Sequence, residues 1–276
     1  MVYNALIIGA GQIASGFDFP DLDEILTHAH AYIKHSGFNL VGFYDIAIEK
    51  AKLAAQKWNC DYFKNISDVK SEIDVVSICS PDNCHVASIK QCVELRPKLI
   101  FLEKPVANNV SEVEYLMEIA KNIPIAVNYS RRYVEEFQEL SQKIFSEEFG
   151  KFITGVGYYG KGFRHNGSHM IDILRVLIGE IESVKKTSET FDFYKEDPSA
   201  NAVVHFQNSS EFIMCAVDCN NFTIFEIDLI FQKARIRILD SGFKIEIYKV
   251  GNNEHFNGYK KLKKTEDIST KLNKAM

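Results

Sequence analysis

Tyr3-Asn4-Ala5-Leu6-Ile7-Ile8-Gly9-Ala10-Gly11-Gln12-Ile13-Ala14 is the stretch that decides the fold. Ala5 to Ile8 is an apolar run of strand length, and it enters a glycine turn directly. In such a turn Gly9 permits the tight bend, Gly11 lets backbone come close to a pyrophosphate, and Ala14 allows close helix packing. Gln12 and Ile13 complete the phosphate-binding candidates. The same spacing also suits a plain strand-to-helix connection, so the turn needs an acidic partner after the second strand. Asp45 stands there, behind Asn39 to Tyr44. A carboxylate at that place accepts hydrogen bonds from both adenosine ribose hydroxyls and repels a 2′-phosphate, which favours NAD over NADP. Asp45 lies about 30 residues past Ala14, where ~20 is usual. Ser15 to Leu26, with Gly16, Pro20 and three aspartates, reads as an inserted loop that explains the distance. Thr27-His28-Ala29-His30 either lines a cofactor cleft or is a Thr27-capped helix start with two surface histidines, the second being the plainer reading.

Working outward, short apolar runs alternate with amphipathic stretches as far as Asn128. Strands at Asp61 to Phe63, Val75 to Cys79, Leu99 to Leu102 and Ile125 to Asn128 join the first two. Helices at Ala47 to Trp58, His85 to Glu94 and Ser111 to Lys121 lie between them. Six parallel strands with crossovers make an α/β, doubly wound Rossmann sheet. A linking helix, Val134 to Phe145, then leads into period-two alternation. Phe225, Ile227, Leu229 and Phe231 alternate with Glu226, Asp228 and Ile230, and Ile236 and Ile238 precede an Asp240-Ser241-Gly242 turn into Lys244 to Val250. With Lys151 to Tyr159, Ala202 to Gln207 and Glu211 to Asp218, these predict a mostly antiparallel open sheet, accompanied by a helix from near Ser168 to before Gly179. The expected division is a Rossmann domain over 1–127 and an α+β domain over 128–276. The polar tail Asn252 to Met276, with lysines at 260, 261, 263 and 264, is expected to be a solvated or frayed end.

A net charge of −5 without a basic cluster argues against nucleic acid or anionic lipid as partner and leaves a small molecule. No apolar run approaches the ~20 residues that span a bilayer, so no membrane segment is expected. The N-terminus enters a strand by Tyr3 without a charged and apolar leader, so a cytoplasmic location is expected. Cys60, Cys79, Cys84, Cys92, Cys215 and Cys219 read as buried thiols. Cys215 and Cys219 lack a second ligand pair nearby, and no metal is expected.

The fourth strand ends in Ser80-Pro81-Asp82-Asn83-Cys84-His85 and the fifth in Glu103-Lys104-Pro105. In open α/β sheets these carboxyl ends are where ligands bind. Ser80, Pro81, Asn83, His85, Glu103 and Lys104 therefore join the cofactor-binding candidates. A lysine just past a buried strand is either a surface charge or a partly desolvated group able to exchange a proton near neutral pH, with Glu103 to orient it.

These segments, together with Asn128-Tyr129-Ser130-Arg131-Arg132-Tyr133 and Gly167-Ser168-His169-Met170-Ile171-Asp172-Ile173-Leu174-Arg175, resemble the Gfo/Idh/MocA oxidoreductases, the glucose-fructose oxidoreductase and inositol dehydrogenase type. The resemblance spans about Ala5 to Val250. It implies a Rossmann domain with a second domain for substrate binding and oligomerisation, and NAD(P)-dependent oxidation or reduction of a sugar or polyol hydroxyl. By position, Lys104 resembles the family lysine that contacts substrate hydroxyl and nicotinamide ribose, and His169 the acid or base. Asp172 follows one helical turn later as a further catalytic candidate. Arg131 and Arg132 either hold an anionic substrate group or are surface charge. Many members carry an aspartate four residues before the catalytic histidine, where this chain has His165. His165 is then a substitute proton carrier, a ligand for a substrate phosphate or carboxylate, or a mark of changed chemistry. The His165-Asn166-Gly167-Ser168-His169 run is similar to that of a branch associated with surface polysaccharide and amino-sugar genes, which implies an amino sugar or sugar nucleotide as substrate. The rival readings are a non-catalytic NAD- or sugar-binding regulator and an NAD-assisted epimerase or glycosidase without net redox. Phe222, Ile224 and Phe225 suggest an exposed sheet face for a homo-oligomer, dimer or tetramer, as the resemblance also implies.

Overall fold

The computed structural model describes residues 1–275. They form two compact units, Met1–Asn128 with the short chain end from Asn273, and Tyr129–Leu272.

In the first unit β1 (Tyr3–Ile8), β2 (Phe38–Tyr44), β3 (Asp61–Phe63), β4 (Val75–Ile78), β5 (Leu99–Leu102) and β6 (Ile125–Val127) form one sheet in the order β3-β2-β1-β4-β5-β6. Every neighbouring pair is parallel. This is the doubly wound α/β sheet expected from the apolar runs, with its strand order reversing between β1 and β4, where such sheets bind ligands. Successive side chains on a strand point to opposite faces, so β1 feeds two cores. Leu6 and Ile8 pack with Val76, Ile78 and Ile100, while Ala5 and Ile7 pack with Phe43 and Trp58. The helices are α1 (His28–Lys34), α2 (Ile48–Trp58), α3 (His85–Cys92) and α4 (Val110–Ile119).

After the glycine turn the chain makes one short π-helical turn, Gln12–Gly16, before the inserted segment. That segment is tied down from inside. Asp18 is fully buried and accepts hydrogen bonds from Leu26 N at 2.6 Å, Thr27 Oγ1 at 2.6 Å and His30 Nδ1 at 2.8 Å. Burial alone would raise the Asp18 carboxyl, but the bonds from Thr27, Leu26 and His30 outweigh it and hold it below the usual range. Thr27 caps α1 as expected, accepting from His30 N. His28 and His30 are buried, however, which corrects the reading of them as surface residues. The aspartate that looked like loop polarity holds His30 inside, while His28 is held by Glu103 and Ser77.

The second unit is an eight-stranded sheet of β7 (Phe152–Tyr159), β8 (Ile181–Tyr194), β9 (Asp197–Phe206), β10 (Glu211–Ala216), β11 (Phe225–Phe231), β12 (Ala234–Leu239), β13 (Lys244–Asn252) and β14 (Lys260–Ser269). The order is β14-β13-β12-β11-β7-β10-β9-β8, antiparallel except for the β10–β7 pair. Its helices are α5 (Glu135–Phe145) and α6 (Ser168–Leu177). The α6 helix lies so close to β7 that a Cβ on Gly157 would fall 2.5 Å from Met170 Sδ.

Several expectations need correction here. The lysine-rich tail is the edge strand β14, its backbone paired to β13, and Met276 lies outside the described residues. Its lysines pair with acids, Lys264 with Glu246 and Lys261 with Glu254. The long strand β8 carries no apolar alternation because, at the other edge, most of it is exposed. Phe225 is buried, Ile224 is half-buried, and only Phe222 of that trio is exposed, at 59%. All six cysteines are free, but only Cys79 and Cys92 are buried; the other four are half-buried. Among the described residues no helix is long and apolar enough to cross a membrane.

Candidate functional site

Two glycines in the turn do different jobs. Gly9 has φ +95°, and a Cβ there would lie 2.7 Å from the Cys79 carbonyl carbon and Ser80 N, so the approach of the β4 end requires glycine. Gly11 has extended backbone, and a Cβ there would meet nothing within 4 Å. The protein's own packing does not ask for glycine at 11, which fits a position kept bare for an incoming phosphate. Asp45 closes the turn from the end of β2, accepting from Ala10 N and Ala47 N at 2.8 Å each. Gln12 folds back over Gly16, and Ile13 packs partly into the core beside Ile7.

At the end of β4, Ser80 Oγ lies 2.9 Å from Ser88 Oγ, Pro81 leads into a 3-10 turn at Asp82–Cys84, and Asn83 is exposed. His85 is buried, its ring nitrogens 3.0 Å from Ser80 O and 3.1 Å from Val106 O. It clasps the loops after β4 and β5 rather than reaching outward.

Beyond β5, Glu103 is only 8% exposed and anchors a buried polar network. Its Oε1 accepts from Asn128 Nδ2 at 2.6 Å and lies 3.0 Å from His28 Nε2. His28 Nδ1 lies 3.0 Å from Ser77 Oγ, which lies 2.7 Å from Tyr32 OH. Burial would raise the Glu103 carboxyl, but His28, by hydrogen bond and charge, then Asn128 and Lys104, hold it below the ordinary 4.5. Lys104, whose backbone N–H reaches Glu103 Oε2 at 3.4 Å, is therefore fixed to a rigid, ionised support. His28 was not among the site residues named from sequence. Its only signal was the His-rich helix start after the insertion.

In the second unit the 3-10 turn Ser130–Tyr133 carries the two arginines. Arg131 lies over the Phe225 ring at 4.4 Å and donates to Ser241 O at 2.6 Å, and burial lowers its pKa to about 10. These contacts engage its ring-facing plane and one nitrogen, while its buried Nε has no hydrogen-bond partner among the described residues. Arg132 Nε donates to Asp172 Oδ1 at 2.6 Å, which locks the turn to α6. Burial raises the Asp172 carboxyl despite that partner. His169, one turn earlier on α6, makes a T-shaped contact with the Tyr129 ring, the centroids 5.4 Å apart.

His165 sits in the helical turn Phe163–Gly167 that runs into α6. Its Nδ1 lies 2.7 Å from Asp197 Oδ2, its backbone N–H donates to the same oxygen at 3.0 Å, and its ring stacks on Tyr194 at 4.1 Å. Asp197 is 3% exposed and also accepts the Arg164 backbone N–H at 2.9 Å. Burial pushes this carboxyl up, but His165 and the two backbone bonds pull it below the usual range. Asp197 and Tyr194 carried no signal in the sequence.

Residues 3–128 match the family described as "Oxidoreductase family, NAD-binding Rossmann fold", the Gfo/Idh/MocA type. This stretch belongs to that family. Glucose-6-phosphate 3-dehydrogenase of Bacillus subtilis is 25% identical over 150 residues, covering 54% of the chain but only 39% of that relative's length. A putative NADPH-dependent oxidoreductase of Desulfitobacterium hafniense shares the fold with a TM-score of 0.81 at 16% identity, over 99% of the chain and 84% of that protein. The WlbA dehydrogenase of Chromobacterium violaceum, solved with NADH and UDP-GlcNAcA, gives a TM-score of 0.77 at 18% identity over 92% and 79%. At these identities the likeness shows a shared fold, which takes in the eight-stranded sheet.

Proposed function

We propose that this chain is an NAD-dependent oxidoreductase acting on a secondary hydroxyl of a sugar, amino sugar or sugar nucleotide. The observation that carries the reading is Lys104, fixed at the carboxyl end of β5 by the buried Glu103–His28–Asn128 network inside an NAD-binding Rossmann segment. In this reading 1–127 bind the cofactor and 128–276 bind substrate. The backbone around Gly9, Gly11, Gln12 and Ile13 cradles the pyrophosphate, Asp45 takes the adenosine ribose, and Ser80, Pro81 and Asn83 border the nicotinamide half. Asp45 favours NAD over NADP, because a 2′-phosphate would meet a carboxylate. Bound nicotinamide supplies the two-electron step. Lys104 holds the substrate hydroxyl, and His169 and His165 stand as the groups that exchange its proton. The Arg132–Asp172 pair positions α6, and His85 positions the loop that carries Ser80.

The names of the relatives support a pyranose hydroxyl as the reacting group, and a role in surface polysaccharide synthesis follows the sugar-nucleotide branch. Six free cysteines accord with a reducing, cytoplasmic compartment. Val156, Tyr158, Val203 and Ile213 share the sheet face opposite α6 with the charged ladder of Asp228, Arg235, Arg237 and Glu246. That mixed face is the surface through which copies of the chain associate. A strictly monomeric profile in light scattering at micromolar concentration overturns the association. Turnover of a sugar and sugar-nucleotide panel, read by NADH absorbance, tests the activity. Lys104→Ala should lower kcat/KM by about 10²- to 10⁴-fold with an unchanged melting curve. Full turnover by that variant overturns the assignment.

A further inference from the structure

Ser77 stands within β4, where every other residue of the strand is apolar and buried. A hydroxyl in such a place costs free energy unless it is hydrogen-bonded. Two side chains of α1 meet it: His28 and Tyr32, one helical turn apart, bring Nδ1 to 3.0 Å and OH to 2.7 Å from Ser77 Oγ. The insertion decides where that helix begins, because Asp18 holds its cap, Thr27. The donors of this cluster follow from its chemistry. Ionised Glu103 only accepts, so His28 Nε2 carries a proton toward it. Burial pushes the Tyr32 phenol up, so it keeps its proton, and its hydrogen-bond partner is Ser77. The phenol therefore donates to Ser77 Oγ, and the Ser77 proton is left for His28 Nδ1. The bonds run one way, from Tyr32 through Ser77 and His28 to Glu103 Oε1, which Asn128 also reaches. Glu103 precedes Lys104, and their opposite charges attract. Cys79, the other titratable neighbour of Glu103, has its thiol pushed up by burial and by that carboxylate, and stays neutral.

We propose that Ser77 and Tyr32 are positioning residues for Lys104, acting through His28 and Glu103. The inference rests on the oxidoreductase reading above, in which Lys104 holds the substrate hydroxyl. An O–H bond given to Nδ1 draws electron density through the imidazole and makes Nε2–H a stronger donor to the carboxylate. Glu103 is thereby held along one line from the core, and the Lys104 ammonium is attracted to a carboxylate with a single orientation. No proton travels along the chain. It is a brace, and its two outer members do their work without meeting substrate or cofactor.

Ser77→Ala tests the proposal, because it takes the donor from His28 Nδ1 and the acceptor from Tyr32. The expected result is a fall in kcat of about 3- to 10-fold, the worth of one hydrogen bond. KM for NAD⁺ should stay within about twofold, since the glycine turn and Asp45 are untouched. Tyr32→Phe spares the bond from Ser77 to His28 and should lower kcat by less than about threefold. The double variant, Ser77→Ala with Tyr32→Phe, leaves no orphaned hydroxyl, so its melting curve should return toward the native one while kcat stays as low as in Ser77→Ala. It also covers the case in which Ser77→Ala alone fails to fold. A purely structural part for Ser77 predicts instead that kcat recovers with the melting curve. In the cofactor-free protein, imidazole nitrogen shifts should report His28 as an Nε2–H ring whose Nδ1 accepts a hydrogen bond, and the loss of that bond in the variants lacking Ser77. Native kcat in a folded variant lacking Ser77, recovery of kcat in the double variant, or a proton on Nδ1 of the native ring overturns the proposal. If Lys104→Ala is inert while Ser77→Ala is fully active, the oxidoreductase reading stands and the brace falls. If the native chain turns over no sugar, that reading falls and takes the positioning role with it.

Discussion

Each unit contains a buried carboxylate paired with a histidine, and the two pairs differ in what surrounds the ring. Glu103 and Asp197 are 8% and 3% exposed, and both are held below their ordinary pKa. The His28 side chain, however, is fully buried, with one ring nitrogen on Glu103 and the other on Ser77. The His165 side chain is 21% exposed, with Nδ1 on Asp197 and one ring face on Tyr194. An imidazole whose two nitrogens are consumed by protein is a strut, since no proton can leave without breaking the packing. One that reaches the surface is held less tightly by its surroundings. The same chemical pair is thus closed into the core in one unit and reaches the surface in the other.

The largest effect that tests this contrast is on stability. His28→Ala strips a buried carboxylate of its hydrogen-bond partner and leaves a cavity beside Ser77, and should cost about 3–5 kcal/mol. His165→Ala removes a partly exposed ring from a carboxylate that keeps two backbone donors and Arg164, and should cost no more than about 1.5 kcal/mol. Urea denaturation of the two variants measures the difference. Equal losses would erase the distinction between the buried pair and the surface pair.

Acid should separate the pairs next. Asp18, Glu103 and Asp197 have folded-state pKa values below their unfolded ones. The stability each contributes is therefore present above the unfolded value, near 3.8 for aspartate and 4.5 for glutamate, and is lost as pH falls through the folded value. Asp172 has the opposite sign: its pKa is raised, so the cost of burying its charge is relieved as pH falls. Urea midpoints taken from pH 6 to pH 3 should decline in the native chain. The decline should be shallower in His28→Gln, because Glu103 then has less depression to lose. In His165→Gln it should change less, since Arg164 and two backbone bonds still hold Asp197. A larger flattening in His165→Gln would reverse the order of the two pairs.

The parts of the site that could be read in the sequence were those fixed by local pattern. Ala5 to Ile8 running into Gly9, and Leu99 to Leu102 running into Glu103-Lys104-Pro105, are strand ends in any α/β sheet, and a six-stranded parallel sheet followed. The support behind Lys104 was hidden because the insertion that delivers His28 is polar. Asp18 turns that polarity inward through bonds to Thr27 and His30 that no spacing announces. Asp197 and Tyr194 were hidden because only hairpin pairing brings them to His165, from about 30 residues away. Strands β8 and β14 left no alternation to read because, as sheet edges, they bury little. Phe225 was misplaced because a period-two pattern gives the two faces of a strand but not which of them is covered.

The smallest expected change in stability isolates the binding function of the first unit from its support. Gly9→Ala forces a left-handed residue and a contact with the β4 end, and should cost stability through strain of about 1–3 kcal/mol. Gly11→Ala introduces a methyl group into open space at φ −80°, a conformation alanine accepts. Its melting curve should move by less than about 1 kcal/mol in either direction. The methyl group would nevertheless stand where a pyrophosphate must come against the backbone, so affinity for NADH should fall at least about tenfold, equivalent to about 1.4 kcal/mol of binding. Fluorescence titration with NADH beside a thermal melt reads both quantities on one sample. A variant that melts and binds as the native chain does would show that the cofactor does not press on Gly11, and the glycine there would then mark only the turn.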